Sequence, residues 1–90
     1  MRIDKYLWAI RVFKTRADAV DACRGSRIKI DGQSVKPSRE VRQGDTIVVR
    51  KGAVCHEYLV LMPVDRRQPA KDVPLYVRDV TPAEELKKLA

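Results

Sequence analysis

Arg2-Ile3-Asp4-Lys5-Tyr6-Leu7, followed by Arg11 and then Lys14-Thr15-Arg16, is the stretch on which the reading of this chain turns. At 3.6 residues per turn, Ile3, Leu7 and Ile10 stack on one face, and Tyr6 and Phe13 widen that stripe. Lys5, Arg11 and Arg16 fall off it. A helix over about residues 2–11 therefore offers an apolar face to a core and cations to solvent. Small domains aim positive charge at a polyanion in this way.

Working outward, Thr15-Arg16-Ala17-Asp18 reads as a capping box opening a second helix, with Ala19, Val20 and Cys23 as its small packing face. Gly25 is expected to end it in a positive-φ conformation. The period then changes. Ile28 and Ile30 alternate with Arg27, Lys29 and Asp31, as in a half-buried strand with its charges outward. Asp31-Gly32 predicts a tight turn, and Val35 the start of the return. After a turn at Gly44-Asp45, Thr46–Arg50 reads as a strand, paired across Lys51-Gly52 with a last one at Tyr58–Met62. Prolines at 63, 69, 74 and 82 predict little regular structure beyond Pro63. A short final helix is expected, with Thr81 as cap, Pro82 at the first helical position, Glu84 completing a box, then Leu86 and Leu89.

The fold class implied is α+β: two N-terminal helices packed on a small, mainly antiparallel sheet, with a short C-terminal helix. Residues 1–62 form the domain, and 63–90 a Pro-rich extension belonging to the same structural unit. Little room is left for an enclosed catalytic pocket.

Charge is unevenly spread over the 90 residues. Residues 1–42 hold 11 Lys and Arg against 5 Asp and Glu, a net +6, while residues 43–90 hold 8 against 7, a net +1. Charge gathered on one part of a chain is the usual footprint of nucleic-acid binding. No apolar run approaches the ~18 residues needed to span a bilayer, so no membrane partner is expected. The charged opening residues predict no secretory leader, and two cysteines are too few for a disulfide framework; both point to a reducing cytoplasm. Cys23, Cys55 and His56 lack the paired spacing of a zinc site. Glu84-Glu85 favours a helix start rather than acid–base work. No glycine-rich phosphate loop is present, so neither cofactor nor enzymatic activity is expected.

Arg2 through Leu7, Arg11, Lys14-Thr15-Arg16, then Gly25 through Ile28-Lys29-Ile30-Asp31-Gly32 and Lys36-Pro37-Ser38 resemble the RNA-binding domain named for small-subunit ribosomal protein four, the S4 domain. The likeness runs from about residue 2 to 50. That domain is usually an appendage on an enzyme, but here no chain remains for a catalytic module. The chain is similar to the stand-alone members, above all the bacterial heat-shock protein fifteen group, in Trp8, in Lys14-Thr15-Arg16 and in Arg66-Arg67-Gln68-Pro69-Ala70 leading to Leu75-Tyr76. A second stand-alone group, acting in ribosome-associated quality control, is nearly as similar. The resemblance implies structured rRNA as partner, with tRNA nearby, on large ribosomal subunits still holding a nascent chain. Members of the heat-shock group carry a long basic C-terminal extension beyond the length of this chain. Non-specific DNA binding is the alternative use of the same charge. A monomer is expected.

Arginine offers phosphate a planar fork and lysine a mobile point charge. Arg11, Lys14 and Arg16 flank the helix-to-helix turn, where Thr15 adds the amides of a helix start. Arg2 and Lys5 supply further cations from the first helix. Lys36-Pro37-Ser38-Arg39 is a second candidate, since proline restricts the loop that presents Lys36, the Ser38 hydroxyl and Arg39. Arg27 and Lys29 would extend the surface. A solvated charged face with Asp4 and Asp18 as partners is the plainer reading. Asp4 is read as structural, at the helix start or holding a basic side chain in position. Trp8 either stacks on a base or, the reading favoured here, packs under a later segment.

Overall fold

A computed structural model describes residues 1–89. Helix α1 (Ile3–Ala9) buries Ile3, Tyr6 and Leu7 completely, as the apolar stripe requires. Helix α2 (Arg16–Arg24) begins at Thr15, whose Oγ1 accepts the Asp18 amide at 3.1 Å. Only that half of the box forms. Ala19, Ala22 and Cys23 bury against α1, their small size letting the two helices approach closely.

Both helices end by the same device. The Val12 and Arg11 amides donate to the Leu7 and Trp8 carbonyls at 3.0 and 3.1 Å, and the Arg27 and Ser26 amides to those of Ala22 and Cys23 at 3.0 and 3.1 Å. These six-to-one and five-to-two bonds close a Schellman turn. The left-handed residue in each is not glycine but Arg11 (φ 64°) and Ser26 (φ 59°). The positive φ expected at Gly25 is therefore one residue late: Gly25 has φ −83°, and a Cβ there would lie 3.2 Å from the Asp21 carbonyl.

Strands β1 (Ile28–Ile30), β2 (Gln33–Ser34), β3 (Thr46–Lys51), β4 (Val54–Val60) and β5 (Val77–Asp79) form one antiparallel sheet in the order β2-β1-β3-β4-β5. Asp31 and Gly32, at φ 53° and 77°, make a two-residue turn, so the return begins at Gln33 rather than Val35. Ile28 faces Val49 and Ile30 faces Ile47, and these four side chains are buried with the helical stripe. The pleat consequently puts Lys29 on the opposite sheet face.

The C-terminal half departs further from expectation. The Gly52 turn (φ 62°) returns the chain at once, so β4 starts at Val54 and ends at Val60; Leu61 and Met62 instead donate their amides to the Tyr76 carbonyl. A fifth strand pairs Val60 with Val77, and a 3₁₀ stretch covers Ala70–Leu75. Helix α3 (Ala83–Leu86) lacks its expected cap. The Thr81 hydroxyl accepts the Glu57 amide at 3.0 Å and Glu85 Oε1 accepts the Cys55 amide at 2.8 Å, so side chains replace a strand partner along that part of β4. The side chain of Leu89 lies outside the described residues. Among those described, no helix is long and apolar enough to cross a membrane.

Candidate nucleic-acid interface

Asp4 is the one buried charge among the described residues, 1% exposed. Its carboxylate accepts Arg2 Nε and Nη2 at 3.2 and 3.0 Å and the Lys5 amide at 2.7 Å, and Arg16 Nη2 lies 3.7 Å away. One carboxylate thus gathers two arginines from different helices. Both guanidinium side chains stay half exposed, at 51% and 46%, so their remaining N–H edges face solvent. Asp4 serves both roles the sequence left open: it lies in the first turn of α1 and it holds basic side chains.

The loop at Lys36–Arg39 docks on the same end of α1. Ile3 and Asp4 donate their amides to the Arg39 and Pro37 carbonyls at 2.8 and 3.2 Å, and the Arg39 amide donates to the Lys36 carbonyl at 3.0 Å. The Met1 ammonium pairs with Glu40 at 2.7 Å, pinning the chain end beside them. Lys36, Ser38 and Arg39 are exposed there, Lys14 and Thr15 are exposed where α2 begins, and Lys5 is half-buried on α1. The amides of Arg16 and Ala17, first in α2, have no intrahelical acceptor.

The structure does not bring every expected residue to this surface. Arg11 leaves the other end of α1, its Nε donating to the Gln68 carbonyl at 2.6 Å. Arg27 lines a cleft with Phe13, Asp18, Asp21 and Arg50; its amide closes the α2 exit turn and its carbonyl accepts the Arg50 amide of β3 at 2.8 Å. Lys29 stands on the far sheet face.

Two cations essential to the local geometry escape a reading of sequence. Arg67 Nη1 lies 3.1, 3.4 and 3.3 Å from the carbonyls of Trp8, Phe13 and Lys14, and the guanidinium sits 5.5 Å over the Trp8 ring. Trp8 is thereby packed under the Pro-rich segment. Lys51 Nζ donates to the Val12 carbonyl at 2.8 Å and lies 5.1 Å above the Phe13 ring. The α1–α2 turn is held by a cation from each side, where a helix C-terminus exposes carbonyls. Arg67 stands in the Arg66–Ala70 stretch, but nothing local indicates its target.

Beyond the Asp4 cluster, most of the basic charge is uncompensated. Of the 19 Lys and Arg, only Arg2, Arg16 and Lys88 come within 4.0 Å of a carboxylate among the described residues. Burial, reinforced by the Asp4 charge, pushes the Cys23 thiol up to about 11, so it stays protonated and inert. Among the described residues no three His, Cys, Asp or Glu side chains gather as a metal site.

The sequence profile of the S4 domain matches residues 1–47, from Met1 into β3. The chain belongs to the S4 domain family. This S4 chain is 34% identical over 91 residues to heat shock protein 15 of Escherichia coli K12, covering 100% of itself and 68% of that relative. It is 37% identical over 82 residues to the RQC P-site tRNA stabilizing factor of Helicobacter pylori J99, covering 90% of itself and 98% of that protein. The trimeric structure of Vibrio cholerae heat shock protein 15 at 2.3 Å resolution superposes with a TM-score of 0.84 at 32% identity, over 98% of this chain and 87% of that one. The S4 match takes in α1, α2 and the 36–39 loop. It ends before Lys51 and Arg67, so the side chains clamping the turn lie outside the shared domain.

Proposed function

We propose that this S4 protein is a non-catalytic, cytoplasmic RNA-binding protein that grips structured rRNA on free large ribosomal subunits carrying peptidyl-tRNA. The observation that carries the reading is the pairing of Arg2 and Arg16 on buried Asp4, beside the open amides of α2 and the exposed Lys14. Two prearranged guanidinium groups and a helix start make a site for consecutive phosphates. Lys36, Ser38 and Arg39 extend it along the backbone of a folded RNA, and Lys5 lies on α1, with Arg11 just past its far end. Arg27 and Lys29 belong to the flank and the far face and contribute long-range field. No cofactor is needed for any of this.

With roughly 4–6 phosphate contacts, binding to a structured RNA should fall with salt at a log–log slope of about −3 to −5. Sucrose-gradient fractionation tests the partner. The protein should migrate with free large subunits and leave them after puromycin, which releases nascent chains from tRNA, because it stabilises only the state exposing its site. Equal binding to intact ribosomes, or to duplex DNA at the same salt, would sink the proposal in favour of general nucleic-acid binding. The likeness to the Helicobacter pylori tRNA stabilizing factor favours a second reading, in which the protein supports nascent-chain tailing during quality control. A peptide-elongation assay on split subunits separates the two. We take the chain to act as a monomer. Because the Vibrio cholerae relative is trimeric, sedimentation equilibrium is the direct test.

A further inference from the structure

Between the α1–α2 turn and the β4–β5 edge runs a groove of about 500 Å³, within the size range of small-ligand sites. Ile10 and Val12 line it from the helical side, Tyr58 from β4, and Val73 and Pro74 from the 3₁₀ stretch. Its charged groups are Arg11, Lys51, Arg78 and Asp79. We propose that this groove takes one unstacked base of the bound RNA, with the adjoining phosphate held by Arg11 and Lys51; the proposal rests on the RNA-binding reading above and names what its periphery recognises.

Four observations carry it. Tyr58 has its ring aligned with that of His56 (centroids 6.2 Å apart, planes 12° apart), so β4 presents an aromatic pair beside the apolar walls. The bonds of Lys51 to Val12 and of Arg11 Nε to Gln68 use one hydrogen each, leaving ammonium and guanidinium hydrogens for a phosphate. The Tyr58 hydroxyl has no hydrogen-bond partner among the described residues, and Asp79 spends only Oδ1, on Thr81; a donor and an acceptor remain for the edge of a base. Burial and the Asp79 charge keep that phenol protonated, hence a donor. Finally Arg11 and Val12 of the groove belong to the same turn that runs through Lys14 into α2, so the groove and the α2 grip share one segment of chain. A protein side chain would use the apolar walls but not the paired cations.

The test compares a blunt RNA hairpin with the same hairpin carrying a three-adenosine overhang, at fixed salt. For wild type the overhang should tighten binding by about 5- to 150-fold, the range of a single base stack. Tyr58→Ala should abolish that gain while leaving the blunt hairpin bound as before, and Tyr58→Phe should keep most of it. Lys51→Met should reduce the gain even where Tyr58→Ala proves unstable by thermal melting, with binding of the blunt hairpin reporting separately any loosening of the turn that Lys51 holds. An overhang that adds nothing, or a Lys51→Met protein with the full gain, overturns the proposal and leaves the groove to an apolar side chain of a protein partner. Failure of the wild-type protein to bind the blunt hairpin is the distinct result that would instead overturn the RNA-binding reading itself.

Discussion

Replacing Arg67 by methionine removes the guanidinium but keeps an unbranched stem against Trp8. Nη1 carries two hydrogens and faces three carbonyls at 3.1, 3.4 and 3.3 Å, so the bonds are shared and stretched. A hydrogen bond to a charged group contributes about 1.5–3 kcal/mol. The half-buried site and long distances put the set at the lower end, roughly 1.5 kcal/mol. The stacked cation adds about 0.5–1 kcal/mol at partial exposure. Arg67→Met should therefore cost about 2 kcal/mol. In a domain of this size that lowers Tm by roughly 8–16 °C. Urea unfolding, followed by circular dichroism and by the fluorescence of Trp8, measures it directly. Arg67→Lys should recover less than half, since one ammonium cannot span the three carbonyls. Amide hydrogen exchange at Lys14–Arg16 should quicken in both variants. A loss below 0.5 kcal/mol, or full recovery by lysine, would refute the clamp.

Lys14→Ala and Arg16→Ala should each weaken RNA binding while changing unfolding free energy by less than about 0.5 kcal/mol; wild-type affinity in both, with loss in Lys87→Ala, would mean the face is misplaced. Ser26→Gly should stabilise the fold by about 0.5–1 kcal/mol, because serine holds a left-handed φ of 59°, and a lower urea midpoint would contradict this. Cys23, and Tyr6, whose hydroxyl burial pushes well above its ordinary range, stay neutral in the fold at pH values where, unfolded, they ionise, near pH 9 for the thiol and pH 10 for the phenol. Their contribution is present below about pH 9 and is lost as pH rises toward about 11. Thermal melts between pH 8 and 11 should show this decline, and Cys23→Ala should make it shallower.

The helical half was legible because its signals are local. The Ile3–Leu7–Ile10 stripe repeats at the helical period, Thr15 caps the turn that follows it, and Asp31-Gly32 admits few conformations other than a tight hairpin. Strand β5 left no comparable trace: of its three residues only Val77 is buried, and two prolines precede it. The first half of β4 was hidden because Cys55, His56 and Glu57 break the expected alternation. Thr81 followed by Pro82 looks like a helix cap until Glu57 competes for its hydroxyl. The same division holds in the candidate site. Asp4 invited a basic partner from its surroundings in sequence. Lys51 and Arg67 act on carbonyls 39 and 53 residues away, which no local pattern encodes.

That separation between Arg67 and Lys14 gives the protein a timetable. At synthesis rates of ~5–20 residues per second, a growing chain displays its basic turn roughly 3–10 s before the arginine that fastens it is made. During that interval the helix pair carries the same charges on an unlatched hinge, with the closing strand of the sheet still unmade. The contact that sets the turn arrives late, after both helices and the first four strands have been made. A fragment stopping short of residue 67 would keep the net charge of +6 of residues 1–42 and lack the clamp that shapes their turn.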